Sequence, residues 1–577
     1  MKGWIKKGLH FYATGYILAL LENDLNRQAE RRSIMKKKSI ALLLVFAMAV
    51  SMLAGCSKSG KKDGDSVELT VGLGAQFTTL DPGLNTETVN SYVLAHTVAT
   101  LFDKDDDGVL QNDLADGYEV SEDGLTYTVT LKDGLKWSDG EDLTAEDFVY
   151  AVKRNLTYGA ENAWATNDLV KYIEGAADYA NNSDLEASDL TDFTGVEALD
   201  EKTIVYHLIK PCAFFTTILA SYVFAPLRED FIEPHGSEWA FEGGYPSCGA
   251  YILEECNENE KAVVVKNDNY YDAENITVDK ITFMVMTDQD AQEAAFKTGK
   301  LDAALGVKTT VIDSYEVPED VWKIPSVSVY FIVLNSGETG PEELKDVNIR
   351  RALAISLDKA AMSEVLGDLY PPINGYVPSG MQGATKDFRE EGDEKEKFLE
   401  YDLDEAKKLL AEAGYDESNP LHLTYKYSDS SLHADIAQLL QEQWKKAGIV
   451  VDLEVVESGV FYDQIDNGDF QMSRYGYMGS TDPSAYLDLW TKGMQIVPAV
   501  DDDAYDQMLD DASWIVDPTE YYEALHEAER YLVQEQVYII PLFDYGSVAL
   551  LDHTIGNVTC APGSVPFYGY ATFEAEE

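Results

Sequence analysis

The chain has 577 residues, with 44 Lys and Arg against 103 Asp and Glu, a formal net charge of −59 at pH 7. So acidic a surface repels nucleic-acid phosphates and anionic lipid headgroups, which excludes both as bulk partners. The length exceeds what one ordinary core organises, so two or more lobes are expected.

The first informative segment opens at Met35. Lys36, Lys37 and Lys38 precede the apolar stretch Ile40 to Met52, interrupted by Ser51 alone, and Leu53-Ala54-Gly55-Cys56 follows. Residues 35–55 read as a secretory signal ending in a lipobox, with Cys56 lipidated as the mature N-terminus. The apolar run is shorter than the roughly 20 residues that cross a bilayer. Residues 1–34 read as an extension from a start codon placed too early; a membrane segment around Phe11 to Leu21 is the alternative and is short for that role. Residues 56–66 read as a flexible tether.

Val67 to Leu73 alternates as a first strand, and so does Leu125 to Leu131, where Tyr127, Val129 and Leu131 are spaced by threonines. Thr144 is placed to cap a helix, with Asp147 as its capping-box partner and Leu143 and Phe148 as a hydrophobic staple. Asp346 precedes a helix with Ile349, Ala352, Leu353 and Leu357 on one face. Asp402 and Glu405 open another, closed by Gly414. A helix over Ala434 to Lys446 leads into a strand over Val450 to Val456. The class is α/β, without an internal repeat.

Beyond Cys56, the cysteines are Cys212, Cys248, Cys256 and Cys560, an even set that permits disulfides without demanding them. If the segment between Cys248 and Cys256 is one strand, its ends lie roughly 27 Å apart, too far for a direct bond. Asp103-x-Asp105-x-Asp107-Gly108 opens like a calcium loop, but Leu114 stands where the bidentate Glu belongs, so it reads as a solvated turn. The eight histidines include no metal-binding helical pair. No nucleophile elbow or phosphate loop is present. The chain reads as no enzyme, with no catalytic residue, metal or cofactor.

The run Leu114-Ala115-Asp116-Gly117-Tyr118-Glu119-Val120-Ser121-Glu122-Asp123-Gly124 to Val129, then Lys136-Trp137-Ser138-Asp139-Gly140 and Leu143-Thr144-Ala145-Glu146-Asp147-Phe148, closely resembles the signature of the oligopeptide/dipeptide-binding protein family. These are the family 5 extracytoplasmic solute-binding proteins of peptide and nickel ABC importers. The likeness continues at Leu80-Asp81-Pro82, Cys248-Gly249-Ala250-Tyr251, Asn269-Tyr270-Tyr271-Asp272, Asp346 to Leu353, Leu403 to Leu410, Trp444 to Ile449 and Tyr486-Leu487. It implies a two-lobed periplasmic-binding-protein-like fold with a ligand cleft between the lobes. Lobe I would combine 67–100, 222–326 and 546–577, a small accessory domain would hold 101–221, and lobe II would run over 327–545. The implied partners are a small organic ligand, foremost a short peptide, the permease subunits of an ABC importer, and the membrane through lipidated Cys56. The protein would be an extracytoplasmic monomer, on the outer face of a Gram-positive cell or in a periplasm. A non-peptide solute (oligosaccharide, opine-like conjugate or nickel chelate) and a peptide-pheromone receptor stand as alternatives.

In the family a peptide lies extended and pairs its main chain with strand segments. The matching positions are Thr86, Glu87 and Thr88, and the run Tyr475, Gly476, Tyr477 and Met478. A strand glycine admits a close backbone, although it also commonly marks a bulge. Arg474 and His433 match the cationic contacts to a ligand carboxylate; an ordinary ion pair with a nearby acid is the alternative for Arg474. Trp164 matches a cleft aromatic. One departure stands out: members generally hold the ligand's amino group with an aspartate in a Trp-x-x-Asp-Tyr-x-Asp-Pro segment. Here Tyr477 to Pro483 is one residue shorter; Asp482 matches the second acid, and Ser480 or a gap falls at the amine anchor.

Overall fold

The computed structural model describes residues 66–157, 169–180, 185–241, 243–479, 482–492 and 494–574. The signal and Cys56, the tether up to residue 65, Trp164 and Ser480 lie outside the described residues. Among the described residues no helix is long and apolar enough to cross a membrane.

The first strand, β1 (Glu68–Leu73), lies at the centre of a seven-stranded sheet, and helix α1 (Thr88–Thr97) follows it. The chain then leaves for a four-stranded antiparallel sheet of β2 (Ala115–Val120), β3 (Thr126–Leu131), β4 (Val196–Asp200) and β5 (Thr203–His207), in the order β2-β3-β5-β4. The alternation of β3 does its expected work: Tyr127, Val129 and Leu131 are buried. Helix α2 (Ala145–Thr157) packs on this sheet and begins where Asp147 Oδ2 accepts the Thr144 N–H at 2.8 Å.

The chain returns through β6 (Tyr251–Asn257), β7 (Lys261–Lys266), β8 (Lys280–Val285), β9 (Ala303–Ala304) and β10 (Val321–Ile324). A second sheet is built from β11 (Ser328–Leu334), helices α3 (Val347–Ile355) and α4 (Leu403–Glu412), β12 (His422–Ser428), α5 (Ser431–Lys446), β13 (Val450–Val456), α6 (Ser458–Asp466) and β14 (Met472–Met478). After α7 (Ser484–Leu487), α8 (Asp503–Ala512) and α9 (Pro518–Arg530), β15 (Ile539–Asp544) closes that sheet, and β16 (Ser547–Leu551) rejoins the first. The strand orders are β10-β16-β9-β1-β8-β7-β6 and β13-β12-β14-β11-β15. Val329 to Leu334 are all buried, the unbroken apolar run of a strand covered on both faces.

The caps fall where the side chains place them: Asp346 Oδ1 accepts from Asn348 N at 2.9 Å, and Asp402 Oδ1 accepts from Glu405 N at 2.9 Å. Gly414 follows α4 with φ 92°, a left-handed turn that favours glycine. Two motifs of the resemblance acquire physical reasons. Asp81 caps the turn Pro82–Leu84 and forms a buried two-pronged pair with Arg154 of α2, at 2.5 and 3.2 Å. A Cβ on Gly249 would lie 2.6 Å from the Thr97 carbonyl carbon at the end of α1. All four described cysteines are free thiols. Asp105 closes the acidic loop by itself, its Oδ1 accepting from Asp107 N and Val109 N, as a solvated turn requires.

Candidate functional site

Strand β14 is internal to its sheet, yet only its first part is paired on both sides. β12 meets it at Tyr425↔Met472 and Lys426↔Ser473 and then diverges. On the other side, β11 pairs it without interruption from Leu334↔Met472 to Ser328↔Met478. From Arg474 to Met478 one edge is therefore open, and alternate residues turn both N–H and C=O toward it. Gly476 marks no bulge in this register. A Cβ there would touch only the Val329 carbonyl oxygen, at 3.6 Å, so the fold does not require a glycine at this position. Exposure grows along the strand: Arg474 is buried, Tyr475, Gly476 and Tyr477 are half-buried, and Met478 is exposed.

Arg474 sits at the foot of the open edge. Its Nη2 donates to Ser428 Oγ at 2.7 Å and Tyr462 OH at 3.3 Å, and its Nε donates to nothing. The guanidinium carbon lies 4.7 Å from the Phe461 ring centroid and 5.5 Å from that of Tyr462. Other buried arginines are provided for: Arg154 has Asp81, Arg389 has Glu529 at 2.7 Å, and Arg350 has five bonds to main-chain carbonyls. No carboxylate lies within 4.0 Å of Arg474 among the described residues, so the ion-pair alternative is not what the structure holds. Cation–π contacts return about 0.5–2 kcal/mol, against several kcal/mol for taking a charge out of water. The deficit is what an incoming anion would offset.

His433, in the first turn of α5, faces the same place. Its Nδ1 is 3.4 Å from Tyr330 OH, and Tyr330 stacks on Tyr545 with centroids 6.2 Å apart. Burial, reinforced by the Arg474 charge, pushes His433 down to about 4, so at pH 7 it is a neutral hydrogen-bonding group. Thr86, Glu87 and Thr88 belong to the other sheet's side of the molecule: all three are exposed, Glu87 is extended, and Thr88 already opens α1. Ser428, Tyr330, Phe461, Tyr462 and Tyr545 were not singled out from sequence; they come from four separate segments, and no local pattern marks them.

Asp482 does not face this edge. It is 1% exposed, and its Oδ1 accepts from Tyr521 OH at 2.6 Å and Ser484 N at 2.9 Å. Burial lifts it to about 6, and burial likewise lifts Asp544, at the end of β15, to about 7. A carboxyl raised in this way keeps its proton in the folded chain after the unfolded chain, near 3.9, has lost it. Its contribution to stability is thus present at low pH and lost as pH rises through 6 to 7. His96 and His433, both pushed down to about 4, oppose this as pH falls through about 6.5, where the unfolded imidazole is half charged, and Lys359, which burial pushes down to about 7, opposes it from higher pH. Asp544 by itself is therefore expected to add about 1 kcal/mol to unfolding stability between pH 8 and pH 6.5, read as the difference in pH dependence between the parent and Asp544→Asn. Denaturant melts of both proteins at the two pH values should show this difference.

Among the described residues, the His and carboxylate groups that come together within ligand reach are Asp320, Asp552 and His553, and they are already bonded internally, with His553 Nδ1 at 2.7 Å from Asp320 Oδ1.

An open strand edge beside a buried cation with no carboxylate partner among the described residues has the chemistry to pair an extended, anionic ligand. Residues 109–496 match the family described as bacterial extracellular solute-binding proteins, family 5. The chain belongs to that family; it is a solute-binding protein and not an enzyme. The oligopeptide-binding protein OppA of Bacillus subtilis is 29% identical over 553 residues, covering 92% of this chain and 99% of OppA. The probable deoxycholate-binding periplasmic protein YgiS of Escherichia coli is 29% identical over 487 residues, covering 83% and 89%. Among solved structures, the murein tripeptide-binding protein MppA of Escherichia coli in its unliganded open form superposes with a TM-score of 0.76 at 26% identity, covering 88% of this chain and 98% of MppA.

Proposed function

We propose that this protein captures short peptides by their main chain and C-terminal carboxylate, and delivers them to the permease subunits of an ABC importer. The observation that carries this is Arg474, a buried guanidinium without an anion among the described residues, at the foot of an unpaired strand edge. A peptide laid along Arg474 to Met478 would pair with the edge, place its carboxylate at Arg474 and find neutral His433 as a second contact. The names of OppA and MppA support the peptide reading. The likeness to the open form of MppA supports a cleft that stands ready to close, with lobe I over 67–100, 222–326 and 546–577, the accessory domain over 101–221 and lobe II over 327–545. On closure, Thr86, Glu87 and Thr88 would meet the ligand's other edge, with Trp164 beside it. The protein acts as a monomer.

Calorimetry with a panel of tri- and tetrapeptides tests the reading, and at least one should bind with micromolar or better affinity. Binding of an oligosaccharide, a nickel chelate or a bile acid, with no peptide bound, would overturn it.

The anchor belongs to the same proposal: lipidated Cys56 tethers the protein outside the cytoplasmic membrane. Cys56→Ser is expected to move the protein from the membrane fraction into the medium or periplasm, because the acyl chains supply ~0.8 kcal/mol per buried CH₂. Fractionation reads the outcome. A serine variant that stays in the membrane would make residues 1–55 an uncleaved anchor instead.

A further inference from the structure

Arg474 is buried and His433 half-buried, but two aromatic side chains beside them reach solvent. Tyr462 of α6 is 44% exposed, and Tyr545, just past β15, is 36% exposed. Each is fixed from behind. The Tyr462 hydroxyl accepts from Arg474 Nη2 at 3.3 Å, and its ring stands edge-to-face with Tyr475 of β14, centroids 5.7 Å apart. Tyr545 is stacked on Tyr330 at 6.2 Å and meets Tyr370 edge-to-face at 5.7 Å. Burial raises the Tyr545 hydroxyl, the Arg474 charge pulls it back and Tyr462 raises it again, so the three side chains share one space.

That space has a defined place along a bound peptide. A carboxylate bonded to Arg474 lies ~2.8 Å from a guanidinium nitrogen, and the side chain of the same residue branches from the next carbon. The Tyr462 ring centroid is 5.5 Å from the guanidinium carbon, so this side chain starts within reach of the ring. The side chain of the residue before it turns to the other face of the ligand strand. Aromatic surface left in water beside a buried cation is surface that a ligand can cover, and the gain grows with the apolar area removed from water.

We propose that Tyr462 and Tyr545 select the ligand's C-terminal residue, so that the preferred ligands are short peptides ending in an aromatic or large aliphatic side chain. This rests on capture of the carboxylate by Arg474 and adds which carboxylate-bearing residue is taken. Tyr462 then has two roles: its hydroxyl steadies the guanidinium, and its ring meets the side chain.

Calorimetry with Ala-Ala-Phe, Ala-Ala-Leu, Ala-Ala-Ala and Phe-Ala-Ala tests it. Ala-Ala-Phe should bind at least about tenfold tighter than Ala-Ala-Ala, which corresponds to about 1.4 kcal/mol, with Ala-Ala-Leu between them. Tyr462→Ala should cut that advantage to under about threefold, while the ratio of Phe-Ala-Ala to Ala-Ala-Ala stays as in the parent. Tyr462→Phe, which keeps the ring, should preserve the advantage. The ratio is the readout because a Tyr462 that only positioned Arg474 would weaken every peptide alike. Tyr545→Ala serves as a second variant, and both side chains are exposed, so both alanine variants should melt near the parent. Peptides that bind equally whatever their last residue, or a preference that survives both alanine variants, would overturn the selection and leave peptide capture standing. Binding of no peptide would overturn both.

Discussion

Replacing Arg474 by Met should cost peptide affinity about 2–5 kcal/mol, roughly 30-fold to several thousandfold, while leaving the unliganded protein as stable as before or more so. Two terms set the sign of each effect. In the complex, the methionine removes a charge-assisted contact and leaves the ligand's carboxylate buried without a partner. In the unliganded protein, it removes a buried cation whose Nε has no partner and whose nearest compensation is two hydroxyls and two aromatic faces. Stability given up at a binding site is a common cost of function. Arg389→Met supplies the contrast: it would strand Glu529, fully buried and 2.7 Å away, and should destabilise the fold by about 3–5 kcal/mol. Calorimetry and thermal melts on the two variants separate the roles. An Arg474→Met protein that melts well below the parent would make Arg474 a structural residue.

Much of the fold was legible because its signals are local. The β3 alternation, the Asp346 and Asp402 caps and the Val450–Val456 strand each depend on a handful of neighbouring residues. The helix expected from Ala434 begins earlier, at Ser431, because Ser430 accepts the His433 N–H. The site was legible only in part. Arg474 and the run to Met478 could be named from the family likeness, but nothing in that run says that β12 diverges after Lys426 and leaves the edge open. The absence of an ion partner for Arg474 among the described residues is equally invisible in a chain with 103 acidic residues, since it depends on where they end up. Asp482 illustrates the reverse. Its place in the sequence matched it to the second acid of the family's segment without saying what it does, whereas the fold commits it to Tyr521 and the start of α7.

That leaves the two ends of the ligand unequal, and calorimetry on one binding peptide in free, N-acetylated and C-amidated forms tests this directly. In the proposed complex the carboxylate end would meet Arg474 and His433, whereas Asp482 lies buried away from the edge and Glu87 stands exposed ahead of α1. C-amidation should therefore cost about 2–5 kcal/mol, the range for stranding one partner of a buried charge pair, and N-acetylation well under that. A large acetylation penalty with little loss on amidation would place the anchor at the amino end and contradict carboxylate capture by Arg474.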